Sequence, residues 1–329
     1  MSALDARPLL SVCIVSWNTR QLLRDCLASL YADPDSPAWE VLVVDNASAD
    51  DSVNMVQTTF PGVQLIASPR NLGFSGGSNL ALARARGQFV LLLNSDTRVE
   101  PGALGRLAAF AQQHPEVGAA GPMLLNGDGT VQLSCGLPPG LAAETVNKLL
   151  LHKLFPFFKF GRWNHAQTRA VGWVSGACLL VRRQVLEEVG PLDCGMFMCY
   201  EDLEWCMRMR RAGWGVWYFP FSRVVHLRGQ STRQNMAGML VVSQQSQFYL
   251  FQKHMGRGRL HALRALTLVE TALRSAAWVL PALLHRSRGR EGRERLRAYA
   301  TVFQRTLTDR SFWSPLDHAP GTAHGDTRT

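Results

Sequence analysis

Leu91-Leu92-Leu93-Asn94-Ser95-Asp96 is a run of aliphatic side chains that ends on a carboxylate. With Phe89 and Val90 in front of it the run has no polar face, which predicts a strand from Phe89 to Leu93 buried on both sides in a helix-covered sheet. Asp96, just past its tip, is placed to meet a cation. A solitary strand-end aspartate more often caps a turn, so the neighbouring segments decide its role.

Those segments repeat the pattern. Short apolar runs alternate with helical periodicity from Leu9 to Pro122, as strands joined by crossover helices do. Further strands are expected at Leu10 to Ser16, Val41 to Asp45, Val63 to Ala67 and Val117 to Gly121. The first ends in Ser16, Trp17 and Asn18, the second in Asp45 and Asn46. Ligands of open α/β sheets bind beyond the carboxyl ends of the strands, so these polar tips point to one crevice. A carboxylate at Asp45 can accept from a base imide or a ribose hydroxyl; its alternative is to stabilise the turn, with Ser48 or Asp50 capping the next helix. Arg70-Asn71-Leu72-Gly73-Phe74-Ser75-Gly76-Gly77-Ser78-Asn79 reads as a glycine-rich loop opening a helix. Backbone amides there, with Arg70, suit a diphosphate. The stretch is neither GxGxxG nor GxxxxGK[ST], which excludes the dinucleotide fingerprint and the NTPase phosphate loop.

The second half is less regular. Leu137 to Arg169, with Pro138, Pro139 and Pro156, has poor periodicity and is expected to be a variable loop. A strand from Val171 to Val181 should follow, then a helix from Arg183 closed by Gly190 and another from Glu201 closed by Gly213. A strand pair is expected at Gly215 to Phe219 and Arg223 to His226. Tyr200-Glu201-Asp202-Leu203-Glu204-Trp205 gathers three acids, which the helix dipole favours in any first turn. Glu204 and Arg208, at i,i+4, read as structural. Adjacent Glu201 and Asp202 cannot face the same way, so one orients a neighbour while the other faces the cleft. Asp202 is the choice for a general base on an acceptor hydroxyl. His226 ends a strand, where a neutral imidazole can complete a metal shell with Asp96. Mg2+ or Mn2+, hard ions that need few protein ligands, would bridge these groups to a diphosphate.

Composition bounds the rest. The 329 residues, 47% of them hydrophobic, suffice for one sizeable core with an appended subdomain and exclude disorder for most of the chain. A net charge of +10 and a pI near 9.7 fit anionic partners. The arginines concentrate in a mainly helical region beyond Gln234 that lacks an aromatic stacking ladder, which favours an anionic membrane surface over nucleic acid. Ala265 to Leu284 is apolar, but Glu270 and Arg274 inside it weigh against a spanning helix. Two readings stand: an amphipathic helix lying in the interface, or a helical hairpin covering the sheet. Seven cysteines without a CxxC pair suggest neither a zinc knuckle nor a disulfide framework, and no signal-peptide pattern opens the chain. A cytoplasmic location is expected, with peripheral association on the inner face of the plasma membrane. The expected division is a catalytic domain over 1–234, a basic, partly amphipathic helical extension over 235–313 and a disordered tail over 314–329.

Taken in order, Ser11 to Asn18, Val43 to Ser48, Asn71 to Asn79, Asn94-Ser95-Asp96 as a variant of a metal-binding DxD, Gly172 to Val181, Tyr200 to Trp214 and His226 resemble the family-two glycosyltransferases. These are inverting enzymes of the GT-A fold, and the closer likeness is to their rhamnosyltransferase-like branch. The resemblance covers about Leu9 to Thr232. It implies an α/β, Rossmann-like fold with a mostly parallel central sheet and flanking helices, to which the C-terminal helical extension is added. It implies metal-dependent sugar transfer, with a deoxythymidine diphosphate rhamnose donor, to a hydroxyl of a cell-surface glycan or lipid-linked precursor. It also implies a base contact at Asp45, metal at Asp96 and His226, and catalysis by Asp202 with Glu201 beside it. Ser16, Asn18, Arg70, Asn71, Gly76, Asn79, Asn94 and Ser95 would line the nucleotide-sugar pocket. Asn94 stands where many relatives have a first aspartate, and Glu204 where this branch often has aspartate. A nucleotidyltransferase would carry a basic glycine-rich loop after the first strand, where this chain has Ser16-Trp17-Asn18-Thr19-Arg20. A non-catalytic nucleotide-sugar or glycan-binding protein of the same fold is the other alternative, and Asp96, Asp202 and His226 argue against it.

Overall fold

The computed structural model describes residues 7–35, 37–149, 151, 163–227, 235–284 and 286–315. Its centre is a mixed sheet in which β1 (Leu10–Ser16) lies between β2 (Trp39–Asp45) and β4 (Phe89–Asn94), parallel to both, with β3 (Gln64–Ala67) parallel to β2 at one edge. Beyond β4 come β11 (Cys178–Arg182), β6 (Val117–Leu125), β12 (Gly215–His226) and β5 (Thr97–Val99). Of these, β11 is antiparallel to β4 and β6, β12 is parallel to β6, and β5 is antiparallel to β12. The short β7 (Val131–Gln132) and β9 (Arg169–Ala170) pair with β6 and β12. A separate ribbon joins β8 (Cys135–Gly136) to β10 (Trp173–Val174).

The continuous apolar runs follow from burial on both faces. Val12, Ile14, Val43, Leu91 and Leu93 meet Leu23, Leu27, Leu104 and Leu107 of helices α1 (Arg20–Tyr31) and α4 (Ala103–Gln113). The alternate residues Cys13, Leu42, Val44, Val90 and Leu92 belong to the opposite core with Phe74, Leu82, Trp205 and Met209. Those four come from α3 (Gly73–Leu82) and α7 (Glu201–Arg211). A leucine buried this fully contributes about 1.5–3 kcal/mol. Further helices among the described residues are α2 (Ser52–Thr59), α5 (Leu141–Lys148) and α6 (Arg183–Val189).

Three further helices follow: α8 (Met236–His254), α9 (Arg257–Leu284) and α10 (Arg286–Thr308). They share a third core in which Met196 and Met207 meet Phe248, Phe251, Leu260, Leu263 and Val302. Lys148 of α5 bonds Glu270 of α9 at 2.7 Å, and Arg274 bonds the same carboxylate at 2.9 Å. The two charges that weighed against a spanning helix therefore serve a protein contact. Among the described residues no helix is long and apolar enough to cross a membrane.

Several expectations are corrected. The strand expected over Val171 to Val181 is two strands, because Ser175 N bonds Ser134 O and Gly176 N is diverted to a side chain, which breaks the ladder. The expected pair at its end is one strand, β12, irregular between Phe219 and Arg223, where Pro220 cannot donate. The irregular middle section contains helix α5; residues 152–162 within it lie outside the described set. The glycine-rich stretch is largely helix rather than loop, since α3 begins at Gly73. Neither Ser48 nor Asp50 is the N-cap of α2, which is Asp51 in a left-handed conformation. The expected boundary at residue 234 and the tail from 316 onward fall outside the described residues.

Candidate active site

The carboxyl ends of β1, β2 and β4 form one rim, and three loops there are tied to each other by side chains. Asn18, at positive φ, accepts from Ala49 N at 2.8 Å while its own N donates to Ser48 Oγ at 3.0 Å. Ser16, Thr19 and Ser95 form a buried hydroxyl chain with steps of 2.9 and 3.0 Å, fastening the end of β1 to the segment that carries Asp96. Asn46 donates to Asn71 Oδ1 and Gly73 O and accepts from Leu72 N, which fixes the turn into α3. Asn71 Oδ1 also accepts from Gly73 N. Sequence reasoning named Asn46 only as a polar strand tip and gave Thr19 no role, since the one signal of each was its place beside a strand end.

Two glycines of this region are required by packing. Gly73 has φ +72°, and a Cβ there would collide with Phe197 O. A Cβ on Gly77 would lie 2.8 Å from Val15 Cγ1, so the glycine lets α3 settle onto β1. Gly76 is inside the helix, and Asn79 has both ends of its amide engaged by the Leu192 backbone, at 2.8 and 3.0 Å. Arg70 is exposed on the loop before α3.

Asp45 is 3% exposed; its Oδ2 accepts from Ser48 N at 3.0 Å, and its Oδ1 has no partner among the described residues. An unfilled buried carboxylate oxygen is costly unless something occupies it. Asp45 therefore does stabilise its turn, but with only half of its carboxylate.

Asp96 Oδ1 and His226 Nε2 stand 3.2 Å apart although 130 positions separate them in the sequence. The pairing of β12 with β5 and β6 brings them together, with His226 opposite Thr97 in the ladder. His226 Nδ1 is 2.7 Å from Gln132 Oε1, and Asn94 Nδ2 lies 3.4 Å from Nε2. Among the described residues no cluster of three or more His, Cys, Asp or Glu could hold a metal. Two ligands can suffice where a substrate diphosphate supplies the rest. Adjacent ligands on an octahedral cation with bonds of about 2.1 Å are about 3.0 Å apart, so the Asp96 and His226 donors fit neighbouring positions.

The Glu201-Asp202 pair opens α7 directly after Cys199 and Tyr200, both at φ 69°. Consecutive left-handed non-glycine residues are strained, and such strain clusters at functional sites. Asp202 Oδ2 accepts from Gly176 N at 2.8 Å and Oδ1 from Leu203 N at 2.7 Å, with its own backbone amide also bonded to the carboxylate, which still leaves acceptor capacity open. Burial pushes the Asp202 carboxyl up against the lowering effect of these amides. Burial, reinforced by the charge of Asp202, pushes Glu201 to about 8, and its Oε2 has no partner among the described residues.

Glu204, fully buried, anchors the helix. It accepts from Arg208 at 2.8 Å and from Lys253 and His254 of α8 at 2.9 Å each. Burial opposes its ionisation, but these partners outweigh it and hold the carboxyl down at about 2. The i,i+4 pair is structural as expected; the two partners on α8 were not legible from spacing.

Residues 11–190 match the family model described as Glycosyl transferase family 2. The N-acetylglucosaminyl-diphospho-decaprenol L-rhamnosyltransferase of Mycobacterium tuberculosis (strain H37Rv) is 31% identical over 295 residues, 80% of this chain and 94% of the relative. The O-antigen biosynthesis protein RfbC of Myxococcus xanthus is 30% identical over 232 residues, 69% of this chain and 18% of that protein. Among solved structures, the mannosyltransferase PcManGT from Pyrobaculum calidifontis, in complex with GDP-Man and Mn2+, superposes with a TM-score of 0.57. It is 18% identical, and the match covers 93% of this chain and 89% of that one.

Proposed function

The chain belongs to glycosyl transferase family 2 and is a glycosyltransferase, and from that premise we propose that it moves a sugar, rhamnose in the first instance, from a nucleoside diphosphate donor to a lipid-linked glycan precursor with inversion at the anomeric carbon. The observation that carries this reading is the gathering of separated residues at one edge of the sheet: Asp45 ends β2, Asp96 follows β4, His226 ends β12, and Asp202 is bonded to Gly176 just before β11. The rhamnosyltransferase relative from Mycobacterium tuberculosis supports the choice of sugar and of a lipid-linked acceptor.

In this mechanism the open Oδ1 of Asp45 receives a donor hydrogen of the nucleoside, the base imide or a ribose hydroxyl. Asp96 and His226 would hold a divalent cation, Mn2+ or Mg2+, which supplies charge neutralisation for the departing diphosphate. Arg70, exposed at the rim, adds its own positive charge there. Asp202 takes the proton of the acceptor hydroxyl as that oxygen forms its bond to the anomeric carbon. The bond from that carbon to the diphosphate oxygen breaks in the same step, and its electron pair leaves with the diphosphate. Burial makes Asp202 a stronger base than an exposed aspartate, and the two backbone amides hold it in one orientation. Glu201, protonated at neutral pH, spares Asp202 a second negative charge alongside it.

Residues 1–234 are assigned as the catalytic unit and 235–313 as an extension fastened to it through Glu204, resting on the inner face of an anionic membrane. Between residues 265 and 279 every exposed position of α9 is alanine, valine or leucine. Residues 257–315 carry twelve arginines against four acids, which supports an anionic lipid surface as the partner.

The test is transfer from a panel of nucleotide sugars with Mn2+, run on the wild type and on Asp202→Asn. Loss of a general base costs about 10²–10⁴-fold, so transfer should fall by that factor while nucleotide binding by calorimetry persists. A folded Asp202→Asn variant that still transfers at the wild-type rate removes Asp202 from the mechanism.

A further inference from the structure

Gln132 is 5% exposed and touches the imidazole that faces Asp96, yet it sits on a two-residue strand 94 positions away in sequence. Its amide is held at both ends. Gln132 Nε2 donates to Asn126 Oδ1 at 2.8 Å and to the His226 carbonyl at 3.2 Å, and Oε1 lies 2.7 Å from His226 Nδ1.

The direction of these bonds can be worked out from groups that have no choice. A carbonyl oxygen only accepts, so the nitrogen of the Gln132 amide must be the end at His226 O. A second, independent anchor gives the same answer. The Asp128 carboxylate accepts from Thr130 N at 3.0 Å and from the Thr130 hydroxyl at 2.6 Å. With its proton committed to Asp128, Thr130 Oγ1 accepts from Asn126 Nδ2 at 2.9 Å. That orients Asn126 Oδ1 toward Gln132 Nε2, and leaves Gln132 Oε1 as an acceptor facing the ring. His226 Nδ1 must therefore carry a proton and donate it.

From this relay we infer that the Asn126–Gln132 hairpin sets the tautomer of His226, with Gln132 as a positioning residue that holds the Nε2 lone pair toward Asp96 Oδ1. In the neutral ring a proton on Nδ1 leaves the Nε2 lone pair facing a carboxylate oxygen at 3.2 Å, a contact that is relieved by a cation between them or by a second proton that makes the pair ionic. Asn94 Nδ2, a long donor at 3.4 Å, relieves it only in part. The hairpin thus prepares a cation site before any cation arrives. Outer partners of this kind fix ring orientation and ligand basicity, and losing one costs about 10–100-fold in metal affinity. The inference rests on the reading of Asp96 and His226 as metal ligands.

The test has two arms, and neither reads catalytic turnover. In the first, 15N-histidine-labelled protein without metal is examined by long-range 1H–15N correlation while the pH is raised until the ring nitrogens report a neutral imidazole. The resonance missing in His226→Ala identifies the ring. It should show a protonated Nδ1 and a lone-pair Nε2 in wild type, and Gln132→Leu should lose that fixed pattern. A proton on Nε2 in the wild type overturns the inference, whatever the variant does. In the second arm Mn2+ is titrated, alone and with UDP, GDP or dTDP, with free Mn2+ followed by electron paramagnetic resonance. Gln132→Leu should bind about 10–100-fold more weakly. Wild-type Mn2+ affinity in folded Gln132→Leu, beside weakened affinity in His226→Ala, overturns the role of Gln132 and leaves the metal site standing. Unchanged affinity in His226→Ala removes that histidine from the metal site, and a relay still seen in the first arm would then not serve a cation.

Discussion

Replacing Glu201 by Gln should stabilise the protein, and the gain should grow with pH. The carboxyl is 6% exposed, its Oε2 has no partner among the described residues, and its pKa stands at about 8 rather than 4.5. The sign follows from linkage. An acid whose folded pKa is raised holds its proton more tightly when folded, so its stability contribution is full below the unfolded value and is lost as pH climbs toward 8. At 1.36 kcal/mol for each unit, the shift amounts to about 5 kcal/mol between pH 4.5 and 8, with no further loss above. Glutamine keeps the shape of the protonated acid and cannot ionise. At pH 5 the variant and the wild type should therefore melt within about 1–2 °C of each other, while at pH 9 the variant should melt higher, on the order of 5–10 °C for a chain of this size. Differential scanning calorimetry across pH 5 to 9 reads this directly. A Tm gap that stays constant across the range, or opens toward acid, would refute the assignment of a buried, proton-holding Glu201.

Glu204→Gln should act in the opposite direction. It leaves Arg208, Lys253 and His254 facing a neutral group in a buried setting, at a cost of about 3–5 kcal/mol at pH 7 by urea unfolding. Because Glu204 titrates near 2, its contribution is full above 4.5 and is lost as pH falls, so the gap to wild type should close by about pH 2; a gap that persists there would count against the ion-pair account. The pair Val269→Glu and Leu273→Glu changes two half-exposed side chains one helical turn apart on α9. It should leave Tm unchanged and abolish flotation with vesicles containing phosphatidylglycerol; undiminished flotation would assign membrane contact to some other surface.

The strand tips were legible because burial on both faces demands unbroken apolar runs, and Phe89 to Leu93 admits no other use. Asp45, Asp96 and His226 stood out as candidates for the complementary reason, an ionisable group where such a run stops, and Asp202 stood out among the acids gathered at a helix start. The break between β10 and β11 was not. It depends on Gly176 N leaving the ladder for Asp202, a bond across 26 positions that no local pattern announces. Helix α5 was hidden by the flanking prolines and by a length of only eight residues. The glycine-rich stretch misled because glycine opposes helix formation, while here the close approach of α3 to β1 and Phe197 requires it. Gln132 carried no local signal, since its contact with His226 comes from β7 pairing with β6 beside the end of β12.

A more general criterion separates architecture from chemistry among these residues, and it is unfilled valence. Ser16 and Ser95 are linked through Thr19, the oxygen of Asn71 is doubly engaged, and Asn79 is saturated by the Leu192 backbone. Each of these was expected in the pocket, and each spends the named groups holding a loop or helix in place. By contrast Asp45 Oδ1 has no partner among the described residues, Asp202 keeps acceptor capacity beyond its amide bonds, and His226 turns Nε2 toward a carboxylate. Leaving such groups open is destabilising in the free protein, by about 1–3 kcal/mol for each buried orphan. The fold tolerates that cost at its carboxyl edge because its large two-faced core does not depend on it. A nucleotide, a cation and an acceptor hydroxyl together would fill these open positions, which is why they, more than the asparagines and serines that tie the loops, carry the proposed chemistry.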